Sequence, residues 1–336
     1  MKNVALLLLL SSSTITNVLA QTVSTFANVG INPRGIAFVG SGNLFVANSG
    51  NNSISKITPG GVVNNSYITG VRPNAISFDS VGNMYVSDST QSIRKYSSNG
   101  ILLNETFGGQ LGFYPYGIKF DTMDTLYVYA SNGNVRRISS DGVLDTTPFV
   151  TGLTNNLGGL SFDLDGNLYV ANYTTNVILK VTPAGNVSVF ASGFNGPVDV
   201  VVDCIGTLFV SNYVGNSISK VTPQGVVSIY ANGLNFPHGL ALDTFGNLYV
   251  SNSGSNAVSK IEPQSGIFDS NFVDFVVDFY FSTQALLVMD QKLVILDVIL
   301  LQKDLQPLFY FHLLQKVNKT KQNKLKIYFS KITPLF

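Results

Sequence analysis

The residues best suited to chemistry in this sequence fall into a regular set and an irregular one. Asn48, Asp88, Asn172, Asn212 and Asn252 recur at near-equal spacing, and in principle they form a ring of oxygen ligands. Each stands two residues past the valine of a short hydrophobic run, where an Asn or Asp commonly bonds nearby backbone and caps the loop that follows. They are therefore read as structural. Asp79, Asp121, Asp163, Asp203 and Asp243 each precede a turn and are read the same way. Asp163-x-Asp165-Gly166 looks like the start of a calcium loop but lacks the third carboxylate position and the distal glutamate, so it is read as a turn.

The irregular set carries more information about function, because a repeated framework does not require it. Arg34, Asn74, Tyr116 and His238 each follow a proline, and Asp199 stands where most copies have glycine. If the copies close into a ring, His238, Arg34, Asn74 and Tyr116 come from neighbouring units, with Asp199 nearby. Donors, a cation and a carboxylate then surround one opening, which is the usual form of a small-ligand site. The plainer reading makes Arg34 and Tyr116 solvated rim residues and lets His238 satisfy a backbone carbonyl.

The elements that position these residues are repeats. Gly42-Asn43-Leu44-Phe45-Val46 recurs as Gly82-Asn83-Met84-Tyr85-Val86, Asp124-Thr125-Leu126-Tyr127-Val128, Gly166-Asn167-Leu168-Tyr169-Val170, Gly206-Thr207-Leu208-Phe209-Val210 and Gly246-Asn247-Leu248-Tyr249-Val250, at intervals of 40, 42, 42, 40 and 40 residues. A period near forty with several strand signals per copy points to propeller blades. Each copy reads as four strands. The first follows the proline, which is tolerated at a strand's first position. The second is apolar on both faces, as blade stacking requires. The third and fourth follow turns such as Thr58-Pro59-Gly60-Gly61. The sixth copy lacks a fourth strand of its own. Val23-Ser24-Thr25-Phe26-Ala27 has the fourth-strand pattern but no strands before it, so it is expected to complete the sixth blade and remove the open edges. The expected fold is an all-β, six-bladed propeller of four-stranded antiparallel blades, closed by the N-terminal strand.

The unit Pro-x-Gly-Ile/Leu-Ala-x-Asp-x-x-Gly-Asn-Leu-Tyr-Val-Ala/Ser-Asn resembles NHL repeats and the six-bladed propellers of the gluconolactonase and senescence-marker-protein type. Its Ile-Thr-Pro-x-Gly turn at residues 57–61 is also similar to streptogramin lyase repeats. The likeness spans about residues 22–266. In gluconolactonase-type propellers it implies metal and substrate ligands at the position after the proline. Here that position holds Arg34, Asn74, Tyr116, Gly158, Val198 and His238, and only Asn74 fits the Asn, Asp and Glu ligands expected. Streptogramin lyase chemistry, by the same resemblance, relies on histidines from neighbouring blades, whereas the repeats contain one histidine, His238.

Composition narrows the partners. Through residue 266 the chain has 12 lysines and arginines against 13 acidic residues, so the basic face that nucleic acid needs is hard to assemble and no nucleic-acid partner is expected. Lys2, the apolar run at residues 4–10 and Val18-Leu19-Ala20 read as a signal peptide over 1–20, cleaved after Ala20, which makes the protein secreted. The apolar run is too short to span a bilayer. Cys204 has no partner for an internal disulfide and is read as a small buried filler. Asn51, Asn64, Asn104, Asn172, Asn186 and Asn318 begin Asn-x-Ser/Thr sequons, the first five of them glycosylation candidates within the repeats. The propeller is assigned to 21–266. Residues 267–336, apolar and then lysine-rich, break the repeat and read as an appended tail.

The expected function is that of a monomeric binding or scaffolding module for a protein, peptide or glycan, without catalysis or cofactor. The rival is a metal-dependent hydrolase, with a divalent metal such as calcium, or a lyase at the channel mouth.

Overall fold

A computed structural model describes residues 21–153 and 158–263. The signal-peptide assignment at 1–20 and the tail at 267–336 lie outside the described residues. The chain divides into a unit from Met1–Ser265, which holds every described residue, and one from Gly266–Phe336.

The described residues form six antiparallel sheets arranged as a six-bladed propeller. Strands run from the channel outward. The inner strands are Pro33–Phe38, Pro73–Phe78, Pro115–Phe120, Leu160–Phe162, Pro197–Val202 and Pro237–Leu242. The second strands, such as Leu44–Asn48 and Leu248–Asn252, are buried along their whole length because a blade packs on each face. Closure follows the sequence expectation. Val23–Asn28 pairs antiparallel with Ala257–Ile261, from Val23 opposite Ile261 to Asn28 opposite Ala257.

Six apolar clusters hold the ring together, each lying between two adjacent blades. An aromatic pair repeats in every blade. The second-strand ring meets an outer-edge ring edge-on: Phe45 with Tyr67, Tyr85 with Phe107, Tyr127 with Phe149, Tyr169 with Phe190, Phe209 with Tyr230 and Tyr249 with Phe26, at centroid separations of 4.8 to 5.4 Å. In blades one, four, five and six the outer ring stands where the fourth-strand register shifts, so a β-bulge re-aims it inward. The same second-strand rings reach the next blade, Phe45 to Phe78, Tyr85 to Phe120, Tyr127 to Phe162 and Tyr249 to Phe38.

Blade three departs from the four-stranded plan. Its sheet has three strands, and its outer edge is reduced to single bridges from Val135 to Val150 and from Ile138 to Leu144. Asp145 is held by Arg137 instead, whose Nε and Nη2 lie 2.8 and 2.7 Å from its carboxylate, and Pro148 cannot donate to a ladder.

Two sequence expectations need correction. Cys204 is exposed, because the turn from Asp203 to Gly206 projects it into solvent. Asn172 is 5% exposed, and its Oδ1 accepts from the Thr175 amide at 3.2 Å, so it has no surface on which to carry a glycan. The other four propeller sequons, at Asn51, Asn64, Asn104 and Asn186, are exposed.

Candidate functional site

The inner strands converge so closely that the Pro-x-Gly glycine has no room for a side chain. A Cβ on Gly239 would lie 2.3 Å from the carbonyl oxygen of Arg34 in the next blade, and one on Gly117 would lie 2.3 Å from that of Gly158. This explains the repeat's glycine at a position without positive φ. It also leaves the residue before the glycine as the first one free to project at the channel mouth. Serines of the second strands fix these residues by bonding their carbonyls across blades: Ser87 to Tyr116 at 2.9 Å, Ser211 to His238 at 2.6 Å, and Ser251 to Arg34.

The mouth opens into a channel cavity of about 350 Å³ whose walls include Arg34, Asn74, Tyr116, Asp199 and His238 together with Lys119. All five sequence-selected residues therefore share one cavity, at different depths. Arg34 donates through Nη1 to Oδ1 of Asn74 at 2.8 Å. Asn74 is itself oriented, since its Nδ2 donates to Oγ of Ser89 and to the carbonyl of Pro115, both at 3.2 Å. Among the described residues no carboxylate lies within salt-bridge distance of Arg34. Burial lowers the Arg34 pKa, with nearby Tyr213 and Tyr116 acting in the opposite direction.

His238 lies half-buried against the same wall. Its pKa falls to about 3, first through desolvation and then through the charge of Arg34, so the ring is neutral over the physiological range. Its Nε2 is buried and has no hydrogen-bond partner. The ring stands edge-on to Tyr213 at 6.1 Å.

Asp199 sits one residue deeper than the mouth position. It replaces the repeat's glycine, and its carboxylate folds over Gly159 of blade four, whose Cβ position lies only 1.6 Å from Asp199 Oδ1. Oδ1 accepts from the Val200 amide and Oδ2 from the Leu240 amide of blade six, both at 2.9 Å. Burial raises its pKa to about 7 against the opposing effects of those bonds and of Lys119. Lys119 is lowered by burial and partly sustained by Asp199. In the deep channel burial thus disfavours the charge on both Asp199 and Lys119, and each oxygen of the carboxylate already accepts from one backbone amide.

Several wall residues escaped the sequence reading. Tyr173 and Tyr213 line a side chamber of about 140 Å³ with Asn32, Arg34, Val198 and His238. The signal was present: the position after the loop-capping Asn or Asp is serine at Ser49, Ser89 and Ser253 but tyrosine in blades four and five. Tyr129 replaces the second-strand serine of blade three and is fully buried. Its ring occupies the space a side chain at Gly158 would need, with Cε1 2.7 Å from that Cβ position.

The regular polar sets bond within the framework. Asn48 and Asn212 donate to two serines each of the third strand, Asn252 to Ser259, and Asp88 pairs with Arg94 at 3.0 Å. Asp79, Asp163 and Asp243 each accept from an Asn backbone amide and side chain across the turn. Among the described residues no group of three His, Cys, Asp or Glu side chains is placed to hold a metal ion. Among the described residues the channel is lined by a single carboxylate, Asp199, each of whose oxygens already accepts from a backbone amide, so the donor set does not fit a carboxylate-rich divalent-metal centre.

Comparison with known proteins agrees with the architecture. Virginiamycin B lyase from Staphylococcus aureus superposes with a TM-score of 0.54 at 18% identity, over 72% of this chain and 83% of that one. A gluconolactonase from Xanthomonas campestris gives 0.64 at 15% identity, over 74% and 93%. Regucalcin from Agrobacterium tumefaciens, a calcium-binding protein, gives 0.60 at 13% identity, over 72% and 94%. At these identities the likeness is one of fold. No curated protein matches the chain significantly. Residues 20–273 match the Virginiamycin B lyase family, and the chain therefore belongs to that family.

Proposed function

We propose that this protein is an exported propeller that binds a small polar group at its channel mouth, acting as a binding module for a glycan, peptide or protein terminus. The observation that carries this reading is the convergence of Arg34, Asn74, Tyr116 and His238 on one cavity, with Arg34 lacking a carboxylate partner and His238 Nε2 lacking any. Converging polar groups left unsatisfied by the fold are what a ligand satisfies. Export is inferred from Lys2, the apolar run and Ala20. The first strand begins at Val23, so cleavage after Ala20 leaves closure intact.

The same geometry argues against efficient acid/base chemistry. A histidine held near 3 is a feeble base at neutral pH, and Asp199 is bonded to two amides. Ligand-observed NMR with monosaccharides and short peptides, comparing wild type with His238→Ala, tests the reading. Binding that the substitution abolishes supports it, and binding that is unaffected places the ligand elsewhere.

One observation favours a second reading, elimination chemistry like that of a lyase. A histidine-to-alanine variant of the Staphylococcus aureus virginiamycin B lyase, solved with quinupristin, is catalytically inactive, and this propeller carries one histidine, at the mouth. Incubation with quinupristin, followed by chromatography, separates the readings. Turnover that His238→Ala abolishes would favour the lyase.

A further inference from the structure

The mouth holds a cation that the fold does not neutralise. A half-buried guanidinium without a carboxylate partner is costly, and the cost falls when an anion pairs with it. Arg34 is in that state. Its Nη1 is occupied by a neutral amide oxygen, and Asn74 holds it toward the cavity instead of balancing its charge. Among the described residues the single carboxyl that lines the channel, Asp199, is turned onto Gly159 and the Leu240 amide. Beside Arg34, the buried and unpartnered Nε2 of His238 is a donor in one tautomer. The side chamber that both residues line adds the rings of Tyr173 and Tyr213 to its wall, Tyr213 being steadied by Phe236 at 5.1 Å, and aromatic walls are suited to packing a ring.

We propose that the mouth is a site for a ring-borne carboxylate, with the anion held between Arg34 and Nε2 of His238 and its ring packed in the chamber walled by Tyr173 and Tyr213. The assignment rests on the small-ligand reading above and narrows it to a charge and a shape. The tyrosines accept either an aromatic or a sugar ring, so the shared chemistry is a carboxylic acid on a six-membered ring.

Isothermal titration of the full chain with benzoate, glucuronate, benzamide and acetate tests it. Benzoate or glucuronate is expected to bind, and the two arms tell which ring is preferred. Benzamide, a neutral isostere of benzoate, is expected to bind about tenfold more weakly or worse through loss of a charge-assisted bond, and acetate, which keeps the charge but has no ring, about tenfold more weakly or worse through loss of ring packing. Arg34→Gln should remove the preference for benzoate over benzamide, whereas Arg34→Lys should retain part of it. Unchanged thermal unfolding separates loss of binding from loss of fold. Should Arg34→Gln fail to fold, Tyr213→Ala gives the independent check by erasing the advantage of the ring-borne acids over acetate.

Equal binding of benzamide and benzoate would overturn the charge assignment while leaving the small-ligand reading intact. Equal binding of acetate would overturn the ring assignment. If no acid binds while neutral sugars or peptides shift the His238 signal, the inference fails alone. If nothing binds at the mouth, both fail.

Discussion

Arg34 donates to Asn74 across the interface between blades one and two at 2.8 Å, and Asn74 is held in turn by Ser89 and by the carbonyl of Pro115 in blade three. Three blades therefore fix one cation at the channel mouth without neutralising it. Asn74→Ala is expected to leave the fold intact and to weaken ligand binding through loss of Arg34 orientation. Asn74→Asp is expected to weaken it further by supplying the missing counter-charge internally. Titration of both variants with the same probe measures the order.

Asp199 and Gly159 form a second coupled pair. Gly159→Ala puts a Cβ 1.6 Å from the Asp199 carboxylate and is expected to cost about 1–3 kcal/mol, the usual range for overpacking. Asp199→Gly restores the residue most repeats carry and is expected to rescue Gly159→Ala. A urea-unfolding double-mutant cycle reads this as a non-additive energy.

Two of the perturbed groups of the channel, His238 and Asp199, act on stability in opposite directions. His238 titrates near 3 in the fold and near 6.5 when unfolded, so the unfolded chain binds more protons between those values and stability falls as pH drops through them. Asp199 titrates near 7 in the fold and near 3.8 when unfolded, so the folded chain binds more protons there and stability falls as pH rises. Between about pH 4 and 6.5 the slopes oppose one another. His238→Gln is expected to leave a stability that declines with rising pH, and Asp199→Gly one that increases. Urea midpoints across this window check both signs.

Closure depends on Phe26 meeting Tyr249 edge-on at 5.0 Å while Val23–Asn28 pairs with the last blade. Phe26 is partly buried, so Phe26→Ala is expected to cost about 2–3 kcal/mol, somewhat less than a fully buried ring. Removal of residues 21–28 exposes the edge of Ala257–Ile261 and is expected to produce association in light scattering.

Most of this fold was legible because each blade repeats the same solution. The Gly-Asn-Leu-Tyr-Val runs mark the doubly buried strands, and Val23 to Ala27 announces closure by having the fourth-strand pattern with no strands before it. The position after the proline was readable as a mouth position for the same reason. Side-chain direction was not. Asp199 looked like a mouth carboxylate, yet the open space over Gly159 and the Leu240 amide draw it sideways. Cys204 occupies a turn position whose outward direction depends on local geometry and not on residue type. Lys119, Tyr173 and Tyr213 enter the site from positions that the sequence marks only as departures from the repeat.

The most direct test of the mouth as a binding site is the imidazole NMR signal of His238 during titration with benzoate or glucuronate. The chain has two histidines, so His238→Gln assigns the signal. A bound anion opposes the Arg34 charge, and the signal is expected to move with saturation while its titration midpoint rises from about 3. A His238 signal that stays fixed in position and midpoint while the ligand saturates the protein would contradict the account.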